Sequence, residues 1–240
     1  MALIIMVGGT GENPKNSYFL DSFLRPYITR ADRVVRVDYP AAIGPANIMN
    51  DPLNFENSAK HSREAAKKTL AQLIRSTSDV PILAGYSLGA WALSEFLEEL
   101  AQGKHRNMDG TLLQVKSAIL VANPRRGRVR KNGPYGIAGA HKPYPKNLRY
   151  VDIATPMDVI PLCPADSSLR FLPYIADVLT ARLDETTLTS WTTLAKSGLF
   201  QAGVPSLRDL RYLNKYLDGT AHVKDYFGAR YVHQASTMFS

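Results

Sequence analysis

The sequence predicts an α/β sandwich, a mostly parallel sheet with helices on both faces, and three observations carry that expectation. Short apolar runs alternate with segments of helical spacing up to about residue 156, and strands separated by helices of this length are joined as parallel neighbours through crossovers. One run, PILAGYSLGAWALSEF from Pro81 to Phe96, breaks on Gly85, Ser87 and Gly89 before turning helical, a G-x-S-x-G pattern between a strand and a helix. From 164 to 217 the strand rhythm stops and apolar residues fall at helical intervals, which reads as an inserted helical layer, a candidate lid over a single domain spanning 1–240.

The elements follow in order. Leu3 to Val7 reads as the first strand, and GGTGENPKN after it as a loop of turn-formers. Phe19, Phe23 and Tyr27 share a helical face. Arg33 to Pro40 reads as a second strand that its proline stops. A helix over about Ser58 to Arg75 places Ala66, Leu70, Leu73 and Ile74 on one side. Val80, Ile82 and Leu83 read as a buried strand leading into the serine turn, and Leu93, Phe96, Leu97 and Leu100 as the buried face of the helix that follows. Two further strands are expected in Val115 to Pro124 and Leu148 to Pro156. Within the insertion, Leu172, Ile175, Leu179 and Leu183 have helical spacing, and LTSWTTLAKSGLF and SLRDLRYLNKYL continue it.

Composition bounds the function classes. A chain of 240 residues, 45% hydrophobic, can bury one substantial core and is short for two enzymatic domains. The lone cysteine, Cys163, cannot form an internal disulfide. No segment has the apolar length that spans a bilayer, and Ala2 to Val7 is too short for the core of a signal peptide, so synthesis in the cytoplasm is expected. Twenty-nine basic residues against 21 acidic ones give a net charge of +8, which favours approach to polyanionic surfaces. Arg125, Arg126, Arg128, Arg130 and Lys131 concentrate in the loop from Arg125 to Lys146, expected to be a solvated surface loop; one that steers an anionic surface is the alternative.

Parallel α/β sheets place their chemistry at the carboxyl ends of the strands, and there the candidate residues are sought. A serine at a glycine-flanked strand-to-helix turn presents its hydroxyl at the sheet edge; the plainer alternative is a helix-capping serine. A serine nucleophile needs an imidazole to take its proton and an acid to orient that imidazole. On this turn the expected chain order is serine, acid, histidine. Of the five histidines, His61 precedes Ser87, His105 follows directly on its helix, and His141 lies in the basic loop. His222, in LDGTAHVKDYFG, stands in a loop before a final helix and is preferred to His233, near that helix's far end. Asp158 comes just past the last strand and is preferred as the acid; Asp152 is inside the strand and Asp166 reads as a helix cap. The backbone N–H of Leu88 and the amide and hydroxyl of Thr10 are the expected oxyanion donors. Gly8, Gly9 and Gly11 lack the lysine and spacing of a phosphate-binding loop. No metal or cofactor is called for.

Together, GGTGEN, VDYPA at Val37 to Ala41, GYSLGA at Gly85 to Ala90, ANPRR at Ala122 to Arg126, PMDV at Pro156 to Val159 and GTAHVKDY at Gly219 to Tyr226 resemble the cutinase-like serine esterases, and within them the lysin B enzymes of phages that infect mycobacteria and related actinobacteria. The resemblance runs from Leu3 to about Tyr231 and rests on short motifs in order. It implies a cutinase-like α/β-hydrolase three-layer sandwich with a helical insertion before the catalytic histidine. The implied activity is cleavage of the ester between mycolic acids and arabinogalactan, with Ser87 as nucleophile, Asp158 as acid and His222 as base. It also implies a lipid-linked cell-wall glycan as substrate and action on the envelope after the membrane has been permeabilised; no nucleic-acid partner is expected, and a monomer is the expected state. Two alternatives stand beside it: a bacterial cutinase-like or PE-PPE-type esterase on other acyl esters, and a non-catalytic basic wall-binding protein on the same scaffold.

Overall fold

The computed structural model describes residues 1–15, 18–44, 57–178 and 206–239. Among the described residues, five strands form one parallel sheet: β1 (Leu3–Val7), β2 (Arg33–Arg36), β3 (Ile82–Tyr86), β4 (Ser117–Val121) and β5 (Arg149–Ile153), in the order β2-β1-β3-β4-β5. The three central strands are buried along their whole length, as a sheet covered on both faces requires. At the edges, β2 exposes Arg33 and Arg36 and β5 exposes Arg149 and Tyr150, charge and bulk that discourage further pairing.

Alternation along the strands divides the core. Leu3, Ile5, Val7, Leu83 and Leu120 face helices α2 (Ala59–Arg75) and α3 (Leu88–Ala101). Ile4, Met6, Ile82, Ala84 and Ile119 face α1 (Phe19–Leu24) and the carboxyl-terminal helix, here α6 (Ala229–Ser236). Three layers result, with the Ser87 turn directly after the central strand, β3. Of the expected insertion, the described residues form a short 3-10 turn at Ser168–Phe171, α4 (Leu172–Val178) and α5 (Leu207–Leu217); Leu179, Leu183 and LTSWTTLAKSGLF lie outside the described residues. A buried ion network fixes α4 on α2: Arg63, 6% exposed at its side chain, pairs with Glu95 at 3.1 Å and with Asp177 at 2.5 Å.

Four sequence expectations need correction. Val80 is 49% exposed and precedes the strand, which begins at Ile82 and runs on to Tyr86. The second strand ends at Arg36, four residues before Pro40, although Val37 N–H still donates to Met6 O at 2.8 Å. Asp166 caps nothing; Ser167 is the N-cap, its Oγ accepting from Leu169 N at 3.2 Å, while Asp166 pairs with Arg208 at the surface. The basic loop is only partly solvated. Arg128 to Asn132 are exposed, but Ile137 and Tyr144 are buried, Tyr135 bridges Cys163, and Arg125 is bound to Glu98 at 2.7 Å. An arginine-rich sequence does not reveal which of its charges have carboxylate partners on a distant helix.

Candidate active site

Ser87 sits between β3 and α3 with φ 51° and ψ −116°, a left-handed backbone that costs a non-glycine residue on the order of 1–3 kcal/mol and persists only where the surroundings enforce it. The flanking glycines enforce it. A Cβ on Gly89 would lie 2.2 Å from Val7 O, and one on Gly85 2.8 Å from Ala90 Cα, so the start of α3 can approach the ends of β1 and β3 only without those side chains. Ser87 N–H donates to Val121 O at 3.0 Å, tying the turn to β4. Although Ser87 occupies the N-cap position of α3, its hydroxyl makes no capping hydrogen bond. It lies 2.9 Å from His222 Nε2.

His222 and Asp158 complete a continuous chain. His222 Nδ1 is 2.8 Å from Asp158 Oδ2, and the Asp158 side chain is fully buried in the loop after β5. An ionised carboxylate can only accept, so Nδ1 carries the imidazole proton and the Nε2 lone pair faces the serine. Asp158 is further held by Ile160 N–H donating to Oδ1 at 3.0 Å and by the Tyr226 hydroxyl donating to Oδ2 at 2.8 Å. The turn carrying His222 is pinned from below: the Tyr86 hydroxyl donates to His222 O at 2.8 Å and the Thr155 hydroxyl to Ala221 O at 2.9 Å. Burial, reinforced by the Asp158 charge, pushes the Tyr86, Tyr216 and Tyr226 phenols up, so they remain donors.

The structure separates the alternatives from this chain. His233 is exposed on α6, Asp166 is bound to Arg208, and Asp152 faces Asn123 at 3.1 Å and Arg126 at 3.8 Å. Thr10 and Leu88 line the cavity into which Ser87 faces. The loop bearing Thr10 is braced by Glu12, whose carboxylate accepts from Gly9 N–H at 2.5 Å and from Phe19 N–H. Gly11 N–H donates to Ala41 O at 2.7 Å. Gly9 and Gly11 thus have their amides committed, and Thr10 is the loop residue turned toward the serine cavity. Burial raises the Glu12 carboxyl above its ordinary value even though both backbone donors lower it.

That cavity holds about 150 Å³, and its walls are mostly apolar: beside Thr10, Ser87 and Tyr216 they include Ile43, Trp91, Ile137, Val159, Leu172 and Leu213. Among the described residues, no group of three or more His, Cys, Asp or Glu side chains is placed to hold a metal ion. Sequence reasoning missed Glu12, Tyr86, Thr155 and Tyr226. Tyr226 is near His222 in sequence but stands in a 3-10 turn, Lys224–Phe227, that begins beyond it, and the two meet only through Asp158; the others act across the sheet edge.

No protein-family model matches the chain, and neither does any curated protein sequence. Among solved structures, it is similar to lysin B from Mycobacteriophage D29, with a TM-score of 0.53, 18% identity, and 90% of this chain and 99% of the other covered. The fold is an α/β-hydrolase fold. An acetylxylan esterase (TM-score 0.46, 17% identity, covering 82% of this chain and 98% of the other) and a cutinase-like protein from Cryptococcus sp. (0.44, 15%, covering 92% and 95%) align at lower scores. Within the α/β-hydrolase fold of this chain, the serine turn, the loop after β5 and the turn before the final helices all open at the carboxyl edge of the sheet.

Proposed function

We propose that the protein is a serine carboxylic-ester hydrolase that cuts the bond between mycolic acids and arabinogalactan in a host cell envelope during phage lysis. The observation that carries this reading is the Ser87–His222–Asp158 hydrogen-bonded chain, whose serine faces a largely apolar cavity. In the mechanism, His222 Nε2 takes the Ser87 proton as Oγ attacks the ester carbonyl. Asp158, held by Tyr226, stabilises the imidazolium that forms. The N–H of Leu88 and Thr10 stabilise the oxyanion. His222 then protonates the departing sugar alcohol, leaving an acyl-enzyme that a water, deprotonated by the same imidazole, hydrolyses. The enzyme accumulates in the cytoplasm, reaches the envelope when the membrane fails, and works as a monomer without cofactor.

One observation favours a second reading, an esterase of shorter acyl chains. An apolar cavity of about 150 Å³ holds a ligand the size of benzene, and the cavity bounded by the described residues is of that size. Hydrolysis of p-nitrophenyl esters of graded chain length by the wild type and by Ser87→Ala tests both. Activity rising toward long chains, lost at least about 10³-fold in the variant, and mycolate release from purified cell wall support the mycolate reading. A short-chain optimum without mycolate release favours the second, and a variant as active as its parent overturns both.

A further inference from the structure

Beside the serine cavity lies a second, polar one, of about 380 Å³, which shares Trp91, Ile137 and Pro173 with it. Trp91 stands one helical turn from the nucleophile, its N–H donating to Ser87 O at 3.0 Å, so the shared wall lies next to the reacting centre. Three arginines line the second cavity, Arg63, Arg125 and Arg170, against two carboxylates, Glu95 and Asp177. Both carboxylates are taken by the same arginine. Arg63 Nε donates to the two Glu95 oxygens at 3.1 Å, and its Nη1 and Nη2 to the Asp177 oxygens at 2.5 and 3.3 Å.

The other two arginines are fixed in place without being fully answered. Arg170 donates to the carbonyls of Pro164, Gly136, Tyr135 and Cys163, and among the described residues it pairs with no carboxylate. Neutral acceptors orient a guanidinium and leave its charge standing. These bonds engage four of the five N–H groups and leave one on Nη1. Arg170 lies 3.4 Å over the Tyr135 ring, and Arg128 lies 3.8 Å over the same ring, so a further cation adds to the local field. Burial lowers the Arg170 guanidinium from its ordinary value, and Arg128 pushes in the same direction. Arg125 Nη2 is bound to Glu98 at 2.7 Å, but its Nε is buried with no acceptor, and a buried N–H calls for one. A neutral hydroxyl would satisfy a donor here and leave the charge. A carboxylate or phosphate group answers both, through several acceptor oxygens and a negative charge.

We propose that the second cavity is an anion site, in which Arg170 and Arg125 seat a carboxylate or phosphate group beside the ester that Ser87 attacks. Its place beside the ester rests on the esterase reading; the binding itself does not. Inorganic phosphate titrated calorimetrically into Ser87→Ala protein should bind saturably. Arg170→Gln should weaken that binding at least about tenfold. Asp177→Asn removes a negative charge from the wall, on a side chain 31% exposed, and should strengthen binding at least about threefold. Arg170 also anchors four carbonyls, so the Asp177→Asn arm stands independently: Arg63 keeps Glu95, and a gain in affinity is the opposite of what lost structure produces. Phosphate that does not saturate, a folded Arg170→Gln protein that binds it as the parent does, or an affinity that Asp177→Asn leaves unchanged or lowers, overturns the assignment.

Two sources can supply the anion, a substituent on the substrate and a free ion, and turnover separates them. The butyryl esters of glycerol and of glycerol 3-phosphate differ only in the phosphate. An anion carried by the substrate predicts a kcat/KM at least about tenfold higher for the phosphorylated ester, chiefly through KM, a preference that Arg170→Gln abolishes. A free anion predicts no such preference and a rate on the neutral ester that saturating phosphate changes. A protein that shows neither behaviour overturns the placement beside the ester. A wild type that cuts no ester while its Ser87→Ala form binds phosphate refutes the esterase reading and leaves the anion site standing, whereas an active wild type without saturable phosphate binding refutes the anion site alone.

Discussion

At the residue scale, the groups that hold the site together are as informative as the three it displays. The Tyr226 hydroxyl shares Asp158 Oδ2 with His222, and a hydrogen bond to a charged group is worth about 1.5–3 kcal/mol. Tyr226→Phe should therefore lower the melting temperature and reduce kcat several-fold with little change in KM, measurable on any ester the wild type accepts. Asp152 offers a pH-dependent test away from Ser87. Burial raises its carboxyl to about 7, against the opposing pull of Arg126 and Asn123. Its unfolded value is about 3.9, so between those two pH values the native protein keeps a proton that the unfolded chain has lost. The resulting stabilisation, on the order of a few kcal/mol, is complete below the unfolded value and is lost as pH rises through 7. Asp152→Asn should flatten the decline in denaturant midpoint between pH 4 and 7; an unaltered slope would refute this account.

At the element scale, the contact between α3 and the end of β1 decides whether the turn can form. A methyl group at Gly89 meets two backbone carbonyls, Val7 O at 2.2 Å and Gly8 O at 2.3 Å, and neither can rotate aside as a side chain would. Gly89→Ala should cost about 3 kcal/mol or more, seen as a large drop in melting temperature or loss of soluble protein, whereas Ser87→Ala should leave the fold intact. Element lengths were less legible than element existence. The strand ending at Arg36 and the one beginning at Ile82 differ from their apolar runs because hydrogen bonding to a neighbouring strand, and not the run itself, sets where a strand stops.

At the scale of the whole molecule, the net charge of +8 acts through its field. Since Arg125 and Arg126 have carboxylate neighbours in the fold, the basic residues of the loop open to a polyanion are Arg128, Arg130 and Lys131, with Lys142 and Lys146 further along. Raising ionic strength from about 10 mM to 0.5 M, which shortens the Debye length from roughly 30 Å to below 8 Å, should slow release from anionic cell-wall fragments several-fold while leaving a neutral soluble ester nearly unaffected. Equal effects on both substrates would argue that charge does not steer this protein.

The sequence by itself determined the alternation of strands and helices, the placement of Ser87 at a glycine-flanked turn, and the order in which an acid and a histidine had to follow. Each leaves a local or ordered trace: apolar periodicity, the steric need for glycine, and chain order at the ends of parallel strands. Only the tertiary structure decided that Tyr86 would support His222 from 136 residues away, that Glu12 would brace the loop of Thr10, and that Arg63 would tie α2 to α4 beside the polar cavity. The physical reason is common to all three. A buried donor or charge must find its partner wherever packing brings one, and no period in the sequence records which residues the folded chain places side by side.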